Sequence, residues 1–403
     1  MQQKIEKKAL LMTWYNTNNY GTLLQAYATK EILKKRYNID CYFVNYNPIG
    51  KRDIVSVIKK LFSIKSWKRQ FLIHYSNFCF RKKGYQEKLK LRNEWVKSFT
   101  KDYKMANEGA VIKSTDEFKK LANDFEIFIS GSDQIWNPEY VNEHFLLDFV
   151  PESKFCFSFA SSLSASEIPR DKEKIYCKYL KKYDGITIRE KECAKQLERI
   201  TGKEVGVILD PTLLFGVKEW MKVKKEISCN GYVLNYFLGK SILGREKSII
   251  IAKKRSVELY HFPQLSSEYT KVDDILPTNT ELWDVSPFEW ISWIENAGII
   301  ITDSFHMTVF SIMLHKEFYV IVKDEKNLQQ NNRIINLLKL VGLESRFVRA
   351  EQLVEITEKQ RKSVNWSKID QILENERKKS LLFVDTIVSK KLKKRENDDE
   401  KSM

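Results

Sequence analysis

The stretch ALLMTWYNTNNYGTLLQAYATKEILKKR, Ala9–Arg36, holds two kinds of order in one run. Leu10 to Trp14 is nearly all apolar, the pattern of a strand covered on both faces. From Gly21 the period changes. Leu24, Ala28 and Ile32 recur four apart with Leu23 and Tyr27 beside them, which predicts a helix. Lys34, Lys35 and Arg36 suit its negative carboxyl end. Cys41-Tyr42-Phe43-Val44 then returns to an apolar run, and strand, helix, strand in that order predicts a parallel sheet. Between the first strand and its helix stand Asn16, Asn18, Asn19 and Tyr20. Amides extend a strand poorly. They do form a polar lip, and ligands of open α/β sheets sit at the carboxyl ends of the strands. The lip reads as a surface for sugar hydroxyls, because an amide offers both donors and an acceptor.

The alternation continues outward from there. Phe125–Ile129, Lys154–Ala160, Gly185–Ile188 and Val205–Leu209 are expected strands, with helices near Lys172–Lys182 and from Arg189. A boundary is expected between Phe215 and Asn230. Beyond it, strands at Tyr232–Phe237, Gly298–Thr302 and Phe318–Val322 alternate with helices at Ser241–Lys254, Pro287–Asn296 and Phe305–His315. With 403 residues the chain exceeds one ordinary core. The expected fold is α/β, with two Rossmann-like parallel-sheet lobes facing a central cleft, the default place for a small-molecule site. The lobes are residues 1–225 and 226–350. Residues 351–403 form a C-terminal helix and tail that pack back on the first lobe.

Composition narrows the class. Hydrophobic residues make up 43% and charged residues 30%, as in a folded soluble protein. Lys and Arg number 69 against 53 Asp and Glu, a net charge of +16 that favours anionic partners. Lys51 to Lys104 breaks the alternation and holds sixteen of those cations against four acids, a net +12. It reads as a basic helical insertion in the first lobe. Its Trp67, Phe71, Phe78, Phe80 and Trp95 suit peripheral contact with an anionic membrane. No nucleic-acid motif is present, so nucleic acid is not an expected partner. Cys41, Cys79, Cys156, Cys177, Cys193 and Cys229 are scattered without a C-x-x-C pair, which predicts neither a metal site nor a disulfide framework and fits reduced cytoplasmic thiols.

Three stretches carry candidate chemistry. In IITDSFHMTVFSIML, Ile300–Leu314, a strand ends at Thr302, Asp303 or Ser304 can cap the next helix, and His306 falls in its first turn. Backbone N–H groups there attract anions, and a histidine beside them is placed for general acid and base work. A capping turn with an incidental histidine is the plainer alternative. In ITIREKECAKQ, Arg189 opens a helix against its dipole, which calls for an anion or for pairing with Glu190 or Glu192. In GSDQIWNP, Gly131–Pro138, Asp133 can accept a hydroxyl proton, Gln134 can bind hydroxyls, and Trp136 can either stack on a sugar or fill the core. Arg333 near the start of NNRIINLLKLVGL is a further cation.

Read in order, NYGTLLQAYA, FISGSDQIWNP, the SSLSAS turn, ITIRE, VILDPTLLF, the stretch ending in IIITDSFHMTVFS, and NNRIINLLKLVGL resemble the polysaccharide pyruvyl transferase family from about Leu11 to Leu343. The resemblance implies a glycosyltransferase-B-like architecture. It also implies transfer of pyruvate from phosphoenolpyruvate onto a glycan or lipid-linked sugar as a ketal, with no metal or cofactor beyond that donor substrate. By position it implies His306 as the catalytic histidine and Arg189 as a donor-binding arginine, the first lobe serving the acceptor and the second the donor. The family motif Asp-Arg-Leu-His-Gly stands here as Asp303-Ser304-Phe305-His306-Met307, so a cation is lost at Ser304. Arg333, Lys316 or Lys323 are its candidate replacements. Thr302, Ser304, Asn16, Asn19, Tyr20, Gln134 and Trp136 complete the expected substrate contacts, with Asp133 as a second catalytic group. Two other readings stand beside this one: a glycosyltransferase-like enzyme with a nucleotide-sugar donor, and a non-enzymatic protein that binds anionic surfaces. The expected location is cytoplasmic, extending to the inner membrane face.

Overall fold

A computed structural model describes residues 7–46, 85–239, 241–263, 281–322, 331–358 and 363–402. They fall into two compact units. One comprises Met1–Asn47, Asp102–Gly216 and Ser367–Met403; the other comprises Pro48–Lys101 and Val217–Trp366.

Unit one is built on a parallel sheet of β1 (Lys7–Met12), β2 (Ile39–Phe43), β3 (Lys104–Met105), β4 (Ile127–Ser130) and β5 (Phe155–Ser158) in the order β3-β2-β1-β4-β5. Strands β6 (Ile186–Ile188) and β7 (Val205–Val207) pair with each other and join β5 through bridges at Phe157–Gly185 and Ser161–Ile188. Residues Ala9–Met12 and the whole of β4 and β5 are buried, which explains why they read as apolar runs and not as alternating ones. The strand order reverses between β1 and β4, the position where such sheets open a crevice. Gly131 closes the floor of that position, its N–H donating to the Met12 carbonyl at 3.0 Å. The helix Tyr20–Tyr37 starts at Asn19, whose side chain accepts from Gly21 and Thr22, and ends at Asn38 in the left-handed conformation.

The long helix Trp366–Ser402 belongs to unit one. Asp385 takes two bonds from the Arg36 guanidinium, at 2.8 and 2.6 Å, and one from the Tyr37 hydroxyl at 2.9 Å. Ser380 accepts from the Leu209 N–H at 3.1 Å. The helix comes so close to the strands β6 and β7 that a side chain at either of two glycines would force a neighbour to shift. A Cβ on Gly185 would lie 2.5 Å from Ile387 atoms, and one on Gly206 would lie 2.3 Å from Phe383.

Unit two repeats the plan with β8 (Val233–Tyr236), β9 (Leu259–His261), β10 (Ile299–Thr302), β11 (Phe318–Ile321) and β12 (Phe347–Val348), ordered β12-β11-β10-β8-β9 and all parallel. Its reversal lies between β8 and β10. The helix Pro287–Asn296 carries a full capping box between Ser286 and Glu289, with proline in its first turn.

One expected assignment is corrected. The described part of the basic insertion, helix Tyr85–Thr100, groups with unit two and not with the first lobe. One helical stripe finds its partners there. Lys88 pairs with Glu281 at 2.7 Å, Arg92 donates to the Leu282 carbonyl at 3.2 Å, and Trp95 Nε1 donates to Asp284 at 2.5 Å. The Phe99 ring packs 5.1 Å from Phe288. Residues 217–225 also open unit two instead of closing unit one, with Trp220 against Phe310 at 5.3 Å. Residues 51–84 lie outside the described residues.

The close approach of the C-terminal helix is testable. Gly185→Ala is expected to destabilise the protein by about 1–3 kcal/mol through overpacking against Ile387. In an Ile387→Ala background the same change should cost far less, since contacting sites do not add. Thermal unfolding midpoints of the four chains check this. Additive losses would place the strain elsewhere.

Candidate functional site

Each unit presents loops at the carboxyl edge of its sheet. In unit one these are the motif loops, and a buried cation ties them together. The helix expected from Arg189 begins at Lys191, so Arg189 is the last residue of the strand side and not a charge inside a helix. Its guanidinium is buried against Asp210, Nη1 to Oδ2 at 2.6 Å, and Nε donates to the Ser132 hydroxyl and the Ala160 carbonyl, each at 3.0 Å. Asp210 caps the short helix Pro211–Phe215, accepting from the Thr212 N–H at 2.8 Å and the Thr212 hydroxyl at 2.5 Å. Arg189 therefore joins the GSD, serine-rich and LDPT loops. Neither Glu190 nor Glu192 is its partner in this pair. Glu190 does a parallel job: its carboxylate accepts from the Ser162 hydroxyl and from the Leu163 and Ser164 N–H groups.

The other unit-one candidates are also engaged. Asp133 accepts from the Thr22 hydroxyl at 2.8 Å and from the Gln134 N–H at 2.9 Å, one bond to each carboxylate oxygen. It links β4 to the first helix across the strand reversal. Trp136 is fully buried, its Nε1 donating to Ser130 Oγ at 2.9 Å and the Phe145 carbonyl at 3.1 Å, so it fills the core and is not a sugar platform. Tyr20 is buried as well. Asn16 is exposed and Asn19 is half-buried with its oxygen spent on the helix cap. Gln134 is half-buried and accepts from the Tyr140 hydroxyl at 3.0 Å. Of the amide lip, Asn16 is the part the fold exposes.

In unit two the structure brings His306 and Arg333 to one edge. His306 is in the first turn of the helix Phe305–Met313, directly after β10, and Arg333 is in the first turn of Asn332–Val341, after β11. Phe305 touches both: the Arg333 guanidinium lies 5.2 Å from its ring centre, and the ring centre of its neighbour His306 lies 5.2 Å from it. Ser304 is the helix cap, its hydroxyl accepting from the Met307 N–H at 3.4 Å. Thr302 donates to the Tyr236 carbonyl and accepts from the Ser304 N–H. Both are thus structural parts of the turn. Asp303 does not cap. It reaches across the strand reversal and accepts from the Leu238 and Gly239 N–H groups at 2.5 and 2.6 Å.

Of the two lysine candidates, the structure describes one. Lys316 precedes β11, at the opposite edge of the sheet from His306, and donates to the Glu295 carbonyl at 2.6 Å. Lys323 lies outside the described residues. His261, the other buried histidine among the described residues of the unit, is pushed down to about 3 by burial, with Arg245 and Lys88 adding to the effect. Its neutral form is therefore the favoured one near pH 7. Among the described residues no three His, Cys, Asp or Glu side chains gather as metal ligands would. Nor is any described helix long and apolar enough to cross a membrane. Sequence reasoning missed Asp210 as the partner of Arg189, and Asp303 as a bridge; the LDPT and TDS motifs contained them, but only tertiary proximity reveals what they hold.

Two parallel-sheet units of this order define the glycosyltransferase-B type. The fold is similar to a structure described as a UDP-N-acetylglucosamine 2-epimerase from Listeria monocytogenes, at 10% identity over 91% of this chain and 90% of that chain, with a TM-score of 0.52. It is similar also to S. aureus MnaA solved with UDP, at 9% identity over 88% and 87%, with a TM-score of 0.51. At such identities the likeness concerns the fold alone. No curated protein matches the chain. The model of the polysaccharide pyruvyl transferase family matches residues 19–325, and the chain belongs to that family of transferases.

The role of Arg189 has a direct check. Arg189→Met leaves the Asp210 carboxylate buried without its cation, and breaking such a pair costs about 3–5 kcal/mol. The expected result is a large drop in unfolding midpoint. A stable variant that has lost only donor affinity would instead make Arg189 a ligand-binding residue.

Proposed function

We propose that the chain transfers the pyruvyl group of phosphoenolpyruvate to two hydroxyls of a glycan sugar, as a ketal, during assembly of a surface or cell-wall polysaccharide. One observation carries this reading: in a chain of the pyruvyl transferase family, His306 and Arg333 each lie in the first turn of a helix at the carboxyl edge of the unit-two sheet, and the Arg333 guanidinium lies 5.2 Å from the ring centre of Phe305, the neighbour of His306. Arg333 takes the place of the cation absent at Ser304. A guanidinium can grip a carboxylate or phosphate through two parallel bonds.

The chemistry balances with one imidazole. His306 protonates the methylene carbon of phosphoenolpyruvate, which becomes the methyl group, and the former enol carbon becomes electrophilic. A sugar hydroxyl adds there and gives up its proton. The C–O bond to phosphate breaks, the second hydroxyl adds, and its proton leaves. The products are a cyclic ketal and inorganic phosphate. Arg333 offsets the donor's negative charge, and a fixed cation at the site of developing charge is more effective than solvent. Asp303 and Ser304 hold the turn that aims His306, and neither enters the reaction.

The basic charge of residues 51–104 fits an acceptor carried on an anionic membrane lipid. Trp95 is half-buried, its Nε1 bonded to Asp284 of unit two.

Phosphate release from phosphoenolpyruvate, with a glycan acceptor present, tests the reading. His306→Ala should lower turnover by about 10²–10⁴-fold with little change in stability. Arg333→Ala should weaken donor binding by about 1.5–3 kcal/mol, the range for lost charged hydrogen bonds. Lys316→Ala should bind the donor as wild type does. Normal turnover in His306→Ala would remove it from the mechanism.

A further inference from the structure

The loop after β4 contains an aromatic residue that the motif reading passed over. Of the aromatic side chains among the described residues, Tyr140 alone is exposed, at 51%. The others are buried or half-buried, and the tryptophan of the same loop is entirely in the core. An aromatic ring left in water costs hydrophobic free energy, and a single exposed ring on a surface is unremarkable in itself. What distinguishes Tyr140 is its support and its place.

The support is rigid. Trp136 anchors the loop from below through Ser130 and Phe145, and its own carbonyl accepts from the buried Tyr176 hydroxyl at 2.6 Å. Two successive turns follow, with the Asn137 N–H donating to the Gln134 carbonyl and the Tyr140 N–H donating to the Asn137 carbonyl, each at 3.2 Å. Asn137 also accepts from the Glu139 N–H through its side chain at 2.9 Å. The Tyr140 hydroxyl donates to Gln134 Oε1 at 3.0 Å, which fixes the direction of the ring. A ring held this way loses little freedom when a ligand covers it.

The place is the carboxyl edge of β4, beside the strand reversal of unit one. Gln134 follows Asp133, whose carboxylate crosses that reversal to Thr22. A pyranose has an apolar face of C–H groups and a rim of hydroxyls. A flat ring next to a side-chain amide matches both, the ring taking the C–H face and the amide taking a hydroxyl.

We propose that Tyr140 is the platform on which the pyranose ring of the acceptor stacks, with Gln134 at its rim. The inference rests on the reading of the acceptor as a glycan, and it supplies the stacking ring that Trp136 cannot.

The test measures binding without turnover. Full-length wild type, Tyr140→Ala and Tyr140→Phe are titrated by saturation-transfer NMR with methyl β-D-galactopyranoside, methyl β-D-glucopyranoside and methyl α-D-mannopyranoside, and their unfolding midpoints are compared. Wild type should bind at least one glycoside, and Tyr140→Ala should bind it about tenfold more weakly at an unchanged midpoint, the loss expected of one aromatic contact. Tyr140→Phe keeps the ring and should stay within about threefold of wild type. Binding of none of the glycosides by wild type, or equal binding by wild type and Tyr140→Ala, overturns the proposal. Neither arm uses phosphoenolpyruvate, so a chain that binds the glycosides through Tyr140 but releases no phosphate would refute the donor reading and leave this one standing.

Discussion

A guanidinium buried between Asp210, Ser132 and Ala160 sets the shape of the unit-one edge. Taking Arg189 out of water is costly, and a carboxylate plus hydrogen-bond acceptors must replace its hydration. Those partners come from three different loops. Each loop is thereby held where the strands end, and none can move far without exposing an uncompensated charge. Glu190 adds the complementary constraint. Its carboxylate accepts from one hydroxyl and two backbone N–H groups of the serine-rich turn, so that turn too has one conformation. Motifs that look like ligand-binding signatures are, in this unit, chiefly the means by which loops are fixed.

Unit two uses the same device at its own strand reversal. Asp303 spans from β10 to the N–H groups after β8, as Asp133 spans from β4 to Thr22 in unit one. In both, a carboxylate just past one strand of the central pair bridges the strand reversal. Asp303 and Ser304 are committed to the turn; the roles proposed at this edge fall to His306 and Arg333. The loss of a cation at Ser304 is then consistent with the architecture, because a serine at that position caps the helix, and a guanidinium supplied from the next helix stands across the Phe305 ring.

Much of the fold was legible in the chain. Buried parallel strands need continuous apolar runs, so β1, β4, β5, β10 and β11 could be read directly, and Pro287 marked a helix start, whereas Asn19 was read as a sugar contact and caps the first helix. The insertion was misplaced because a helix rich in Lys and Arg resembles a solvated face; its docking stripe of Lys88, Arg92, Trp95 and Phe99 has meaning only against Glu281, Asp284 and Phe288, nearly two hundred residues away in some pairs. Site residues divided on the same line. The position of His306, in the first turn after β10, was legible from the apolar strand before it. The fates of Arg189, Asp133 and Trp136 were not, since each depends on a partner that only the folded chain brings near.

The central claim is that the carboxyl edge around His306 and Arg333 serves a small donor bearing a carboxylate and a phosphate. Equilibrium binding by calorimetry, with phosphoenolpyruvate in one titration and UDP-N-acetylglucosamine in another, addresses it most directly. Saturable binding of phosphoenolpyruvate by the full chain, with none for the nucleotide sugar, is the predicted result. Binding of UDP-N-acetylglucosamine and not of phosphoenolpyruvate would contradict the account and assign the edge to a nucleotide-sugar donor.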